Sequence, residues 1–115
     1  MKYNSDFKHD LEVGNVAENE FAALLSNSKV EVKYDIMAEH TGNVFVEFES
    51  RGKPSGIATT QADFWVIKVA KSFITFKVDD LKDICRKWYK DNGSMLGGDS
   101  NTSKGVLIPI KYLLR

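Results

Sequence analysis

The sequence predicts one domain of the α+β (mixed α/β) class, in which helices flank a central mixed sheet. Two patterns support this prediction: segments in which apolar and polar residues alternate, as in half-buried strands, and segments with apolar residues at helical spacing. A length of 115 residues suits a single domain, 1–115, with one hydrophobic core. In chain order the elements read α-β-β-β-β-α-β.

The first elements are a helix over residues 12–26 and a hairpin over residues 29–50. The apolar residues of the helix that share one stripe are Ala17, Phe21, Leu24 and Leu25. In "KVEVKYDI" and in "NVFVEFES" apolar and polar residues alternate, which is typical of strands. Between them "EHTGN" is a turn signal, because Gly42 tolerates a positive φ. Two strands joined by a turn predict an antiparallel hairpin.

The second half of the chain contains three further strands and one helix. "DFWVIKV" and "SFITFKV" predict two strands joined by a tight connection. Asp79 and Asp80 predict the N-cap of a helix, "LKDICRKWYK". The residues of its expected buried stripe are Leu81, Ile84, Cys85 and Trp88. Residues 91–104, rich in glycine and serine, predict a long mobile loop, and Pro109 predicts that the final strand, "GVLIPI", lies at an edge.

The composition excludes two broad classes of protein. Hydrophobic residues make up 43% and charged residues 28% of the chain, which is ordinary for soluble globular proteins and unlike disordered chains. No apolar run approaches the roughly 18 residues that a membrane-spanning helix needs. The start of the chain lacks a hydrophobic signal core, and the single cysteine excludes an internal disulfide. We therefore expect a cytoplasmic protein without a membrane partner.

The charges are unevenly distributed along the chain although they sum to zero. Residues 1–50 hold ten acidic and four basic residues, a net charge of −6, and residues 51–115 have a net charge of +6. This asymmetry is typical of an acidic site beside a basic surface.

The hairpin predicts a cluster of charges on one face. If the hairpin is centred on Thr41, Asp35 lies opposite Glu47 and Lys33 lies opposite Glu49, away from the apolar face. Two facing carboxylates repel each other, so Asp35→Asn is expected to leave stability unchanged or to increase it. A divalent cation would relieve the repulsion, and magnesium commonly binds one or two carboxylates together with water and phosphate. The alternative is a solvated strand face without a site.

Basic and polar residues follow this strand and predict contacts to nucleic acid. Arg51 and Lys53 are suited to phosphate contacts, and Ser55 adds a hydrogen-bond donor. The later helix has a basic face, formed by Lys82, Arg86, Lys87 and Lys90. The alternatives are a turn with a capping serine at position 55 and an ordinary solvated helix face.

The pattern of these residues resembles the PD-(D/E)xK nuclease superfamily. An aspartate on one strand, a Glu-x-Lys-like element on the next and a preceding helix with a glutamate are its core motif. "GNVAENEFAALL" is similar to the G-x-x-A-E helix of Holliday-junction-resolvase-like members, and "TGNVFVEFESRGKPSGIATTQADFW" is similar to short phage-encoded proteins grouped with these nucleases. The resemblance covers residues 14–78. It implies a restriction-endonuclease-like core, cleavage of duplex or branched DNA with magnesium or manganese, and a homodimer.

The resemblance also assigns roles to single residues. Asp35 and Glu47 would be the motif carboxylates that bind metal, and Glu18 would complete the metal site. Glu49 stands where the family has lysine, which is a departure, although some restriction endonucleases of the superfamily have glutamate there. Lys33 on the neighbouring strand is the other candidate for orienting the attacking water.

Two further readings stay open at the level of sequence. "EVK", residues 31–33, is a second match to the Glu-x-Lys element, but no aspartate on a strand precedes it. Gln61 resembles a glutamine beside the active site of related nucleases.

The rival function is a non-catalytic module that keeps the nuclease fold and binds nucleic acid or protein. A phage-encoded nuclease would act in the host cytoplasm.

Overall fold

The structure, a computed structural model, describes the backbone of residues 3–114 and the side chains of residues 8–114. Its longer helices are α1 (Tyr3–Asn27) and α3 (Val78–Asn92), and its short helices are α2 (Ala38–Thr41) and α4 (Ile110–Leu113). Its strands are β1 (Val30–Tyr34), β2 (Asn43–Ser50), β3 (Lys53–Pro54), β4 (Phe64–Val69), β5 (Ser72–Lys77), β6 (Met95–Gly97) and β7 (Ser103–Pro109). Two 3₁₀ turns span Gly56–Ala58 and Asp99–Asn101. The predicted α+β class is confirmed.

The strands form two sheets. One is a mixed three-stranded sheet of order β1-β4-β5, in which β1 is parallel to β4 and β5 is antiparallel to it. The other is antiparallel, with the order β3-β2-β7-β6. The mixed sheet that the sequence predicts is thus present, accompanied by a second sheet.

The predicted hairpin over residues 29–50 is wrong. Both strands exist, but β1 pairs with β4 and β2 pairs with β7, so the two neighbours in sequence belong to different sheets. The predicted turn, "EHTGN", is largely occupied by α2, and Gly42 caps the C-terminus of this helix with a φ of +74°. This helical turn lies between the two strands, which belong to different sheets.

Two predictions about the second half need correction. Residues 91–104 are not a loop throughout, because β6 and a 3₁₀ turn lie within them and β6 pairs with β7. A three-residue strand is too short to show alternation in the sequence. The mobility of this segment stays a prediction. The final strand is not an edge strand, since β7 lies between β2 and β6, but β6 pairs only with Ser103–Gly105 and leaves Pro109 beyond its reach.

The core lies where the two sheets and α3 meet. The buried apolar side chains at its centre are Val44, Val46, Ile67, Leu81, Val106 and Ile108. On α3 the predicted stripe is confirmed: Leu81 and Cys85 are buried, and Ile84 and Trp88 pack against the core. The predicted N-cap is wrong, because α3 begins at Val78 and its first turn contains Asp79 and Asp80. Carboxylates in a first turn still stabilise a helix through its dipole.

Helix α1 lies largely outside this core. It is longer than predicted, and every side chain from Lys8 to Ala23 is exposed. The molecule accordingly measures 60 × 30 × 27 Å. Among the residues that the structure describes, no helix is long and apolar enough to cross a membrane.

Candidate active site

The candidate site is a cavity of about 340 Å³ where the end of β1 meets the middle of β2. Its charged lining residues are Lys33, Asp35 and Glu47, and Phe45 and Trp65 form part of its apolar wall. The three charged residues reach the cavity from two different sheets. The structure therefore brings together three residues that the sequence predicted to cluster, although the predicted hairpin is absent.

The alternation of β1 places its polar residues on the side of the sheet that carries the buried Trp65 and Ile67 of β4. In the register of β1 with β4, Lys33 pairs with Ile67, which is buried, whereas Val32 pairs with Val66 on the opposite side. Lys33 Nζ lies 5.6 Å from the centroid of the Trp65 ring, a distance at which the ring face attracts a cation. Trp65 thus restrains the ammonium group beside the cavity.

Asp35 is held by two backbone amides. Its Oδ1 accepts a hydrogen bond of 3.0 Å from the N–H of Ala38, at the start of α2. Its Oδ2 accepts one of 2.9 Å from the N–H of Phe45 on β2. Each carboxylate oxygen has a further lone pair, so the group can still accept another donor or bind a cation.

Glu47 is held by the segment that follows β3. Its Oε2 accepts a hydrogen bond of 2.9 Å from the hydroxyl of Ser55, and no described residue donates to its Oε1. Gly56, next in the chain, has a φ of +56°, and a Cβ atom there would collide with the backbone carbonyl of Glu47. Only glycine allows this close approach, so Gly56 sets the position of Ser55 against Glu47.

Glu49 does not line the cavity. A β-bulge interrupts the pairing of β2 with β7, so that Glu47 pairs with Gly105 and Glu49 pairs with Lys104, the adjacent residue. Adjacent residues of β7 point to opposite faces, so the bulge turns Glu49 away from Glu47. Glu49 instead approaches Lys104, with 3.6 Å between Oε2 and Nζ. The prediction that Glu47 and Glu49 share one face is wrong.

The predicted third metal ligand lies elsewhere. Glu18 is an exposed residue of α1 and does not line the cavity. Glu31, from the alternative Glu-x-Lys match, pairs with Trp65 and does not line the cavity either. Among the side chains of residues 8–114, no group of three or more histidine, cysteine, aspartate or glutamate residues is arranged to hold a metal ion.

The predicted DNA-binding residues are spread over three places. Arg51 and Lys53 are exposed at the β2–β3 turn, where the backbone N–H of Arg51 donates to the Thr102 carbonyl. Gln61 is exposed beside the N-terminus of α3. The last two, Arg86 and Lys87, are exposed on α3. In this set of residues, Ser55 alone forms a hydrogen bond with a residue of the cavity.

The cavity offers a limited but coherent set of chemical groups. Two carboxylates and one ammonium group surround it, and magnesium uses one or two protein carboxylates when waters and phosphate complete its coordination. Asp35 and Glu47 supply that number of carboxylates, whereas the described residues offer no group of three or more protein ligands. Sequence reasoning missed the Trp65 contact and the Lys104 ion pair, since neither has a motif of its own.

Comparisons with protein-family models, with curated proteins and with solved structures gave no significant match. The functional argument therefore depends on the residues of the chain itself.

Proposed function

We propose that this chain is a metal-dependent DNA endonuclease, which hydrolyses phosphodiester bonds of duplex or branched DNA with magnesium or manganese. One observation carries the proposal: Lys33, Asp35 and Glu47 line one cavity although they come from different sheets. The resemblance to the PD-(D/E)xK nucleases supports the same assignment. Phage origin and a homodimer that cuts both strands are part of the proposal.

In this proposal Asp35 and Glu47 hold the cation. A divalent cation between carboxylates supplies an activated water and offsets negative charge at the scissile phosphate. The amides of Ala38 and Phe45 fix the Asp35 carboxylate, and Ser55 fixes that of Glu47. Both ligands are thus oriented before substrate arrives, which lowers the cost of assembling the site.

Lys33 is the residue proposed to orient the attacking water. Its ammonium group lines the cavity and is restrained by the Trp65 ring, whereas Glu49 faces away and is paired with Lys104. The lysine of the family motif would then be supplied by the neighbouring strand. The exposed Arg51 and Lys53, at the β2–β3 turn, are proposed to contact phosphates of the bound DNA.

The decisive experiment compares Glu47→Gln with the wild-type protein on duplex, branched and single-stranded DNA. Glutamine keeps an oxygen for the Ser55 hydroxyl, so the fold should persist while a ligand charge is lost. We expect cleavage to fall by about two orders of magnitude, the loss seen when a charge-stabilising group is removed. Glu39→Gln, at an exposed position on α2 outside the cavity, is the matched control. A wild-type protein that cuts none of these substrates with magnesium or manganese would refute the proposal.

One observation favours a second function, a non-catalytic module that binds nucleic acid or protein. Both oxygens of Asp35 accept backbone hydrogen bonds, which is a sufficient structural reason for an aspartate at this position. Titration of magnesium, followed by the tryptophan fluorescence to which Trp65 at the cavity contributes, separates the two functions. If the protein is a nuclease, magnesium should change the fluorescence, and Glu47→Gln should remove that change. If it is a non-catalytic module, it should bind DNA equally well with and without EDTA.

A further inference from the structure

The apolar residues of β1 face solvent, which is the reverse of the usual arrangement. A half-buried strand normally turns its apolar residues to the core, but here Val32 and Tyr34 are 55% and 57% exposed. Lys33 and Asp35 lie on the other side of the sheet, where they line the cavity. An apolar strand face in contact with solvent indicates that another surface covers it.

This exposed face extends over all three strands of the mixed sheet. By the registers of β1, β4 and β5, the residues on the open sheet face are Val30, Val32, Tyr34, Phe64, Val66, Lys68, Phe73, Thr75 and Lys77. Six of these nine side chains are apolar, and the two charged ones are both lysines. The open sheet face is therefore apolar with a positive charge.

Helix α1 carries a complementary surface. Its apolar residues at helical spacing form the α1 stripe, defined here as Val13, Val16, Ala17, Phe21, Leu24 and Leu25. Between Lys8 and Asn27 the helix has four acidic residues and one lysine, so it is negatively charged. Only the C-terminal end of the stripe approaches its own sheet, where Phe21, Leu24 and Leu25 border an apolar groove of about 270 Å³.

We propose that a second copy of this chain covers both surfaces, with α1 of each protomer lying on the open sheet face of its partner. The acidic helix then meets the basic face, which favours this pairing over the contact of two helices or of two sheet faces. A two-fold exchange buries both surfaces of both chains at once. This inference does not depend on nuclease activity.

The exposed area is sufficient for a stable dimer. The large apolar side chains of the two surfaces that are at least 43% exposed are Val13, Val16, Phe21, Leu25, Val30, Val32, Tyr34 and Phe73. At about 100 Å² for each of them, the apolar area amounts to about 800 Å² per chain, the size of a standard protein interface.

Sedimentation equilibrium of the full chain tests the proposal. The wild-type protein should have twice the chain mass of 13.0 kDa at micromolar concentration. Val16→Lys on α1 and Val32→Glu on β1 should each raise the dimer Kd by about tenfold or more, because each places a charge in the apolar contact. The matched control is Leu96→Lys on β6, a leucine that is 62% exposed on the other sheet, which should leave the mass unchanged.

Mixing the two variants tests whether α1 of each protomer lies on the sheet of its partner. A heterodimer of Val16→Lys with Val32→Glu contains one wild-type contact between helix and sheet, and its other contact pairs lysine with glutamate. The mixture should therefore dimerise more tightly than either variant alone, with circular dichroism confirming that both remain folded. A monomeric wild-type protein at 100 µM or so would overturn the proposal. So would a dimer that either variant leaves intact, or a mixture without recovery.

Discussion

Oδ2 of Asp35 accepts a hydrogen bond of 2.9 Å from the backbone N–H of Phe45, and this bond links the residue that follows β1 of one sheet to β2 of the other. The same carboxylate accepts from the N–H of Ala38 through Oδ1. Asp35 therefore does structural work at the junction of the two sheets, in addition to its proposed role in metal binding.

Asp35→Asn should destabilise the protein. The asparagine amide has one acceptor oxygen, so one of the two backbone N–H groups would face an NH₂ group and lose its partner. An unsatisfied, partly buried donor costs about 1–3 kcal/mol in the free energy of unfolding, which urea denaturation measures. This replaces the expectation from the sequence that the variant relieves repulsion between facing carboxylates. Glu39→Gln, at an exposed position, is the control and should have no measurable effect.

Gly56→Ala should be more harmful than Gly42→Ala. Both glycines have positive φ values, +56° and +74°, so alanine strains the backbone at either position by about 1–2 kcal/mol. A Cβ at position 56 also collides with the Glu47 carbonyl, whereas one at position 42 meets no atom within 4 Å. We expect Gly56→Ala to cost about 2 kcal/mol more than Gly42→Ala in the free energy of unfolding. Equal losses would show that the contact with Glu47 is unimportant.

Lys33→Ala and Glu49→Gln should separate the two candidates for orienting water. If the proposed nuclease activity is present, Lys33→Ala removes it, because this ammonium group lines the cavity. Glu49→Gln should leave cleavage intact and cost no more than about 1 kcal/mol, since it breaks only a partly exposed ion pair with Lys104. The measurements are initial rates of DNA cleavage and urea denaturation. The opposite result for cleavage would return the role to Glu49.

The sequence predicted the elements of this fold better than their pairing. Alternation identified β1 and β2, because side-chain direction is a local property of a strand. The partner of each strand is set by distant residues: β1 joins β4 and β2 joins β7, and neither pairing leaves a local signal. The alternation in β1 also predicted that its apolar side is buried, but Val32 is exposed, because burial too depends on which distant residues cover the strand.

Only part of the candidate site could be predicted, because the sequence reveals local alternation but not irregular pairing between strands. Lys33 and Asp35 alternate with apolar residues in "VKYDI", so their common side followed from the sequence. The exclusion of Glu49 depends on a bulge beyond Glu47, and a bulge is one extra residue that a regular alternation cannot reveal. The clustering of Asp35 with Glu47 was expected from a hairpin, but in the structure the two residues share a cavity between different sheets, where Asp35 accepts a hydrogen bond from Phe45 of β2.

The thiol of Cys85 should be unreactive in the folded protein. Burial raises the pKa of this thiol from an ordinary 9.0 to about 12, although the nearby Arg86 guanidinium lowers it. The thiolate is the reactive form, so a thiol-specific reagent at pH 8 should label the native protein slowly and the urea-unfolded protein quickly. Rapid labelling of the native protein would mean that α3 opens or that Cys85 is accessible.

The raised pKa of Cys85 also makes the free energy of unfolding fall at high pH. Because the folded pKa of Cys85 lies above the unfolded value, the stabilisation is fully present below pH 9 and is lost as the pH rises toward about 12. Over that range the unfolded thiol ionises while the folded one stays protonated, and the free energy of unfolding falls by at most about 1.4 kcal/mol per pH unit. Cys85→Ala lacks this contribution, while all other titratable groups are the same in both proteins. The difference in unfolding free energy between wild type and variant should therefore shrink between pH 9 and 11, and a constant difference would contradict a buried, protonated thiol.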